Sequence, residues 1–138
     1  MSSPLALLLA RCRRAAAATE FALLAPVFLL LLFGTIEYCR LMWITQAANE
    51  VAYSAARCLA YGTSCSTSST LQSYVVSRAA GYGVTVSSSA ISYSSSTTCY
   101  GTAGSSQVQF TVNFNSPLSG FITSLPSQIT ATGCFLKV

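Results

Sequence analysis

The sequence of 138 residues contains no histidine and no aspartate, and its only acids are Glu20, Glu37 and Glu50. A Ser/His/Asp triad, a Cys/His pair and any zinc site that uses histidine are therefore excluded. All three glutamates fall at or just after one apolar run. Paired-carboxylate chemistry would have to occur on that single segment, without a histidine partner or a pocket-forming domain behind it. The expectation is a protein that is not an enzyme and that uses no cofactor, no metal and no small-molecule substrate. Charge of either sign is sparse: 7% of residues are charged, against roughly 25% in ordinary soluble domains. Three of the seven cations, Arg11, Arg13 and Arg14, form one cluster, and Arg40, Arg57, Arg78 and Lys137 are scattered. That distribution offers no basic face to neutralise phosphates, so nucleic acid is not an expected partner.

Hydrophobic residues, in contrast, make up 52% of the chain. From Phe21 to Ile36 sixteen consecutive residues carry no charge, bounded by Glu20 and Glu37. With Ala15 to Ala18 included the run reaches about 20 residues, the length that crosses a hydrocarbon core of about 30 Å. FLLLLF at 28–33 is apolar on every face, which distinguishes a membrane helix from the one-sided helix of a soluble domain. Pro26 and Gly34 are tolerated in such helices, and a kink is expected near residues 22–26. The arginine cluster precedes the run and only Arg40 follows closely, so the N-terminus is expected on the cytoplasmic side. At the end of the run stands GTIEYCRLMW, with no small-residue site for ordinary signal-peptide cleavage.

Beyond Ile36 the pattern changes from uniformly apolar to one-sided. Leu41, Ile44, Ala48, Val51, Ala55 and Leu59 recur at spacings of three and four, the mark of one helical face. Trp43 and Tyr38 fall where aromatic rings favour the membrane interface. A continuous helix from Ala15 to Ala60 would be about 70 Å long at 1.5 Å per residue. Gly62 ends it, and half of the 44 residues from Thr63 to Ser106 are Ser or Thr. Such composition reads as a linker, but LQSYVVSRAAGYG has a helical pattern, and VTV and AISY resemble strands. SQVQFTVNF at 106–114 is the clearest strand, because Val108, Phe110, Val112 and Phe114 alternate with polar residues. NSPLSG signals a turn, FITSLP a short helix and QITATGCFLKV a closing strand. The expected fold class is α+β: a long N-terminal membrane-spanning helix extended by an amphipathic helix, then a small antiparallel β-sheet. The corresponding segments are a cytoplasmic leader (1–15), a transmembrane helix (16–36), an amphipathic extension (37–61) and an external Ser/Thr-rich domain (62–138).

Of six cysteines, Cys12 lies on the leader side and Cys39 near the membrane exit. Cys58, Cys65, Cys99 and Cys134 lie in the external part, where an even number favours disulfides with three possible connectivities. Cys58 with Cys65 and Cys99 with Cys134 is the preferred pairing, since the first brackets one loop and the second would pin the sheet. A four-thiolate zinc site is disfavoured by the long spacings and the absence of C-x-x-C.

RRAAAATEFALLAPVFLLLLFGTIEYCRLMWITQAANEVAYSAARCLAYG resembles the N-terminal region of TadE-like minor pseudopilins of the tight-adherence (Flp) pilus apparatus. The matching features are the basic leader, Glu20-Phe21, Pro26, Phe33-Gly34, Glu37, Arg40, Gln46-Ala47 and Ala55-Ala56-Arg57. They cover about the first 60 residues; beyond them only the order of strands and the turn NSPL are similar. The resemblance implies cleavage by a prepilin peptidase between Ala15 and Ala16, with Ala15 standing where the family has Gly. Glu20 becomes the fifth residue of the mature chain, and formal side-chain charge falls from +4 to +1 as three arginines are removed. It further implies that Glu20, beside Phe21, makes an assembly contact with the new amine of a neighbouring subunit. The implied partners are the membrane, the peptidase, other pilins or pseudopilins and the pilus assembly platform. The implied location is the bacterial inner membrane, with a single span and a periplasmic or extracellular C-terminal domain. The competing expectation is a permanently anchored external binding or adhesive module unrelated to pili.

Overall fold

The computed structural model of the chain describes residues 4–62, 64–122 and 125–136, with side chains from residue 16 onward. The side chains of Arg11, Cys12, Arg13, Arg14 and Ala15, and all of Lys137, lie outside the described residues. The chain is α+β. Helix α1 runs Pro4–Tyr61, α2 Ser68–Gly81, and three strands follow: β1 Ile91–Cys99, β2 Thr102–Asn113 and β3 Gln128–Phe135. The chain divides into two compact units between Tyr38 and Cys39.

Within the first unit the run from Phe21 onward is solvent-exposed on all sides: Phe21, Leu24, Phe28 and Leu31 are each more than half exposed. Apolar side chains pointing outward around the whole circumference leave nothing for an internal core. Pro26 stands inside the helix. Its missing N–H and its ring remove one backbone bond there.

The second unit is built on the one-sided part of α1. Ala48, Val51, Ala55 and Leu59 are buried, as their spacing predicts, and Leu41 and Ile44 are half-buried. Ala47, Ala52 and Ala56 are buried beside them, so the buried face is broader and smaller in residue size than the apolar spacing alone indicates. Leu71, Val75 and Ala79 from α2 join the same core, as do Val84 and Val86. Leucine, valine and alanine at i, i+4 and i+8 give α2 a single apolar edge.

α2 begins with a reciprocal cap: the Thr67 hydroxyl accepts from the Thr70 amide at 3.4 Å, and the Thr67 amide donates to the Thr70 hydroxyl at 3.2 Å. Two otherwise orphaned amides are thereby satisfied. Thr67→Ala is expected to lower stability by about 1 kcal/mol, read as an earlier denaturant midpoint with unchanged slope. No shift in the midpoint would mean that the helix start is held elsewhere.

The sheet has the order β1-β2-β3, antiparallel throughout. Val108, Phe110 and Val112 point to the core, and register sets them opposite Gly133, Ala131 and Ile129 of β3. Ile91 of β1 faces Phe110 from the other side. The β1–β2 connection uses Tyr100 (φ 50°) and Gly101 (φ 85°). Both central residues are left-handed, as a two-residue hairpin turn matched to strand twist requires.

Two expectations are corrected. VTV at 84–86 is not a strand: its two valines are buried, but the segment pairs with no strand. FITSLP is not a helix where it is described. Residues 117–121 form a single turn, with the amides of Phe121 and Ile122 both donating to the Leu118 carbonyl at 2.9 Å. One isolated turn bears the nucleation penalty without the propagation that repays it.

Candidate functional site

The candidate site is the apolar surface of α1 with the carboxylate at its head. Glu20 and Ala16 are exposed, and residues four apart lie one helical turn from each other on the same face. Phe21 follows at 73% exposure. Ala18 and Ala22 are exposed and Ala25 half-buried, small residues of the kind that let helix backbones approach closely. The peptide bond between Ala15 and Ala16 lies inside α1.

Polar groups within the run are satisfied by the helix itself. The Thr19 hydroxyl donates to the Ala16 carbonyl at 2.7 Å, and the Thr35 hydroxyl lies 2.6 and 2.9 Å from the carbonyls of Leu31 and Leu32. Such back-bonding removes the penalty for an unsatisfied hydroxyl in hydrocarbon. Helix α1 is long and apolar enough to cross a membrane, and the side chains between Glu20 and Glu37 leave no internally unsatisfied hydroxyl to oppose it. This surface has the length and apolar composition to enter a bilayer, and it presents the Glu20 carboxylate at its head.

Cys58, Cys65, Cys99 and Cys134 are brought together in pairs. Cys58 is bonded to Cys65 across the α1–α2 connection, with Cα atoms 5.7 Å apart. Cys99 is bonded to Cys134, joining the end of β1 to β3 at a Cα separation of 6.4 Å. Cys39 is free and exposed. Among the described residues no group of three or more His, Cys, Asp or Glu side chains is placed to hold a metal ion.

A feature not anticipated from the sequence is a shallow groove of about 390 Å³ between α1 and α2. Glu50, Tyr53, Arg57 and Tyr61 line it from α1, and Tyr74 and Arg78 from α2. The Arg57 guanidinium lies 5.8 Å from the Tyr61 ring centre, and Tyr53 and Tyr61 both pack on Phe135 at 5.8 and 5.6 Å. The signal was present: 50, 53, 57 and 61 share the helical spacing, as do 74 and 78. Nothing in the sequence shows that the two sets face each other.

No curated protein and no solved structure matches the chain. Residues 15–57, the segment that holds the apolar run, Glu20 and the first part of the buried face, match the family model described as TadE-like protein. Over this segment the chain is similar to that family.

Proposed function

We propose that the chain is a minor pseudopilin that takes part in assembling a tight-adherence type IV pilus in the bacterial inner membrane, a structural role without catalysis. The observation that carries this reading is where the family match falls. It begins at Ala15, beside the bond proposed for cleavage, and continues through Glu20 and the exposed apolar surface. Similarity to the TadE-like family suggests a Tad pilus-associated protein.

The membrane run holds the subunit in the bilayer with the leader on the cytoplasmic side and the second unit outside. A prepilin peptidase cuts between Ala15 and Ala16 and removes the arginines that anchor the N-terminus. The freed amine of one subunit then pairs with Glu20 of its neighbour. A carboxylate in an apolar assembly is expensive alone and tolerable when paired, which accounts for a glutamate one turn from a new N-terminus. Other pilins and the assembly platform pack against the exposed helix.

Mass spectrometry of the protein isolated from its membrane tests the processing step. A mature N-terminus at Ala16 is expected. A chain retaining the arginine cluster would instead support a permanently anchored external module, a reading that Ala15 in the family's Gly position favours. Glu20→Ala is expected to leave membrane insertion intact and to abolish most pilus assembly in cells. Normal assembly by that variant would remove the pairing role from Glu20.

A further inference from the structure

Three contacts fix how the sheet lies along the second unit's portion of α1. Phe135 meets Tyr53 and Tyr61, Gly133 lies against Ala52, and the Arg40 guanidinium donates to the Asn115 carbonyl at 3.2 Å. The same guanidinium lies 5.3 Å from the ring centre of Phe114. The β2–β3 loop is therefore at the end of the unit nearest Arg40. α2 runs toward that end too, because its start is tied through Cys65 to Cys58 and the Tyr82 carbonyl after it accepts from Trp43 Nε1 at 3.5 Å.

Arg40 and Trp43 come four and seven residues after Ile36, the last residue of the uncharged run. A helix advances roughly 6 and 10 Å over those steps, and the polar headgroup layer is roughly 5 to 8 Å deep on each side of a bilayer. Chain connectivity thus keeps Arg40 at the level of the headgroups and the loop bonded to its guanidinium within a side chain's length of them, with Trp43 just beyond. The composition there suits that level. No charged residue occurs from Ala79 to Leu136, so the loop carries nothing that resists contact with lipid. Its turn is ordered by the Leu118 amide bonding to the Ser116 hydroxyl at 3.1 Å and by the two bonds to the Leu118 carbonyl, and it presents Phe121 at 81% exposure. Trp43, at the same end of the unit, is 62% exposed.

We infer that the loop 114–122 beds in the phospholipid headgroup layer of the membrane that the apolar run enters, and that Phe121 is its apolar anchor. The inference rests on the membrane-spanning reading of α1 and adds a second membrane contact to it. Aromatic rings are favoured at this depth, where one side is apolar and the other wet.

Single-tryptophan variants of the whole chain, made in a Trp43→Phe background and reconstituted in phosphatidylethanolamine–phosphatidylglycerol vesicles, test it. Phe121→Trp is expected to show blue-shifted emission, to lose most of its intensity to headgroup-labelled nitroxide lipid and to lose little to aqueous acrylamide. Phe28→Trp, in the middle of the run, is expected to be quenched by acyl-chain nitroxide. Free access of acrylamide to the indole of Phe121→Trp, with that of Phe28→Trp still quenched by lipid, would overturn the loop inference and leave the membrane span standing. Access of acrylamide to both indoles would overturn the span. Shielding of the Phe121→Trp indole from acrylamide and lipid label alike, relieved by diluting the protein in excess lipid, would show that a second copy covers the loop and would also overturn the inference.

Discussion

Gly133→Ala is expected to destabilise the second unit more than any other single methyl addition. A Cβ at this position would overlap the carbonyl carbon and oxygen of Ala52 and the amide nitrogen of Tyr53. These are backbone atoms of α1, so no side chain can rotate to make room. Relief requires β3 to lift from the helix, and β3 carries Ala131 and Ile129 into the core and pairs with Val108, Phe110 and Val112 of β2. Overpacking of a core usually costs about 1 to 3 kcal/mol, and a backbone obstacle places this site at or above about 3 kcal/mol on that scale. For a unit of this size the melting midpoint should fall by roughly 12 °C or more, read by circular dichroism in detergent micelles. Gly120→Ala, where nothing stands within 4 Å of the added carbon, should stay within about 0.5 kcal/mol of the parent. Ala52→Gly should fail to rescue Gly133→Ala, since the obstructing atoms remain. A melt of Gly133→Ala within a few degrees of the parent would mean that β3 does not lie this close to α1.

The same contact shows what could and could not be read from the residues. The face Leu41, Ile44, Ala48, Val51, Ala55, Leu59 was legible because leucine, isoleucine and valine report burial through spacing. Ala47, Ala52 and Ala56 were not, because alanine is common on exposed and buried faces alike. Yet these alanines, with Gly133, are what let a strand approach the helix backbone. β2 was legible from its alternation of valine and phenylalanine with polar residues. VTV carried the same period of two and was misread, since an unpaired extended segment also turns alternate side chains inward; only the absent partner strand distinguishes them. The Ser/Thr-rich stretch is ordered despite its composition. β1, ISYSSSTTC, buries Ile91 and Cys99 at its ends and leaves most positions between them open to solvent, so hydroxyl side chains suffice there.

At the site, Glu20 stood out because a carboxylate beside sixteen uncharged residues has no local explanation. The groove between α1 and α2 did not, because Arg57 and Arg78 are 21 positions apart in sequence and are brought together only when α2 folds back along α1. A constellation made by two elements has no one-dimensional signature when each half reads as an ordinary solvated face.

Removing the Cys99–Cys134 bridge should be comparably damaging, and comparison with the other bridge tests why. A cross-link limits the unfolded chain more as the loop it closes lengthens. The sequence separations are 35 for Cys99–Cys134 and 7 for Cys58–Cys65. On chain entropy alone these correspond to roughly 4 and 2.5 kcal/mol respectively. The longer bridge also acts where pairing is weakest. The β1–β2 register shifts between Ser94 and Thr97 and again between Thr97 and Cys99, so the end of β1 is tied to β3 by a covalent bond where its ladder to β2 is irregular. The double substitution Cys99→Ala with Cys134→Ala is therefore expected to lower the denaturant midpoint about one and a half times as far as Cys58→Ala with Cys65→Ala. Alanine avoids placing a hydroxyl at Cys99, which is buried. The parent protein in reductant should unfold at or below the midpoint of the weaker variant. Equal losses from the two pairs, or a greater loss from the shorter one, would show that the bridges act through native packing and not through the unfolded chain. A stable parent in reductant would show that the core of α1, α2 and the sheet holds without them.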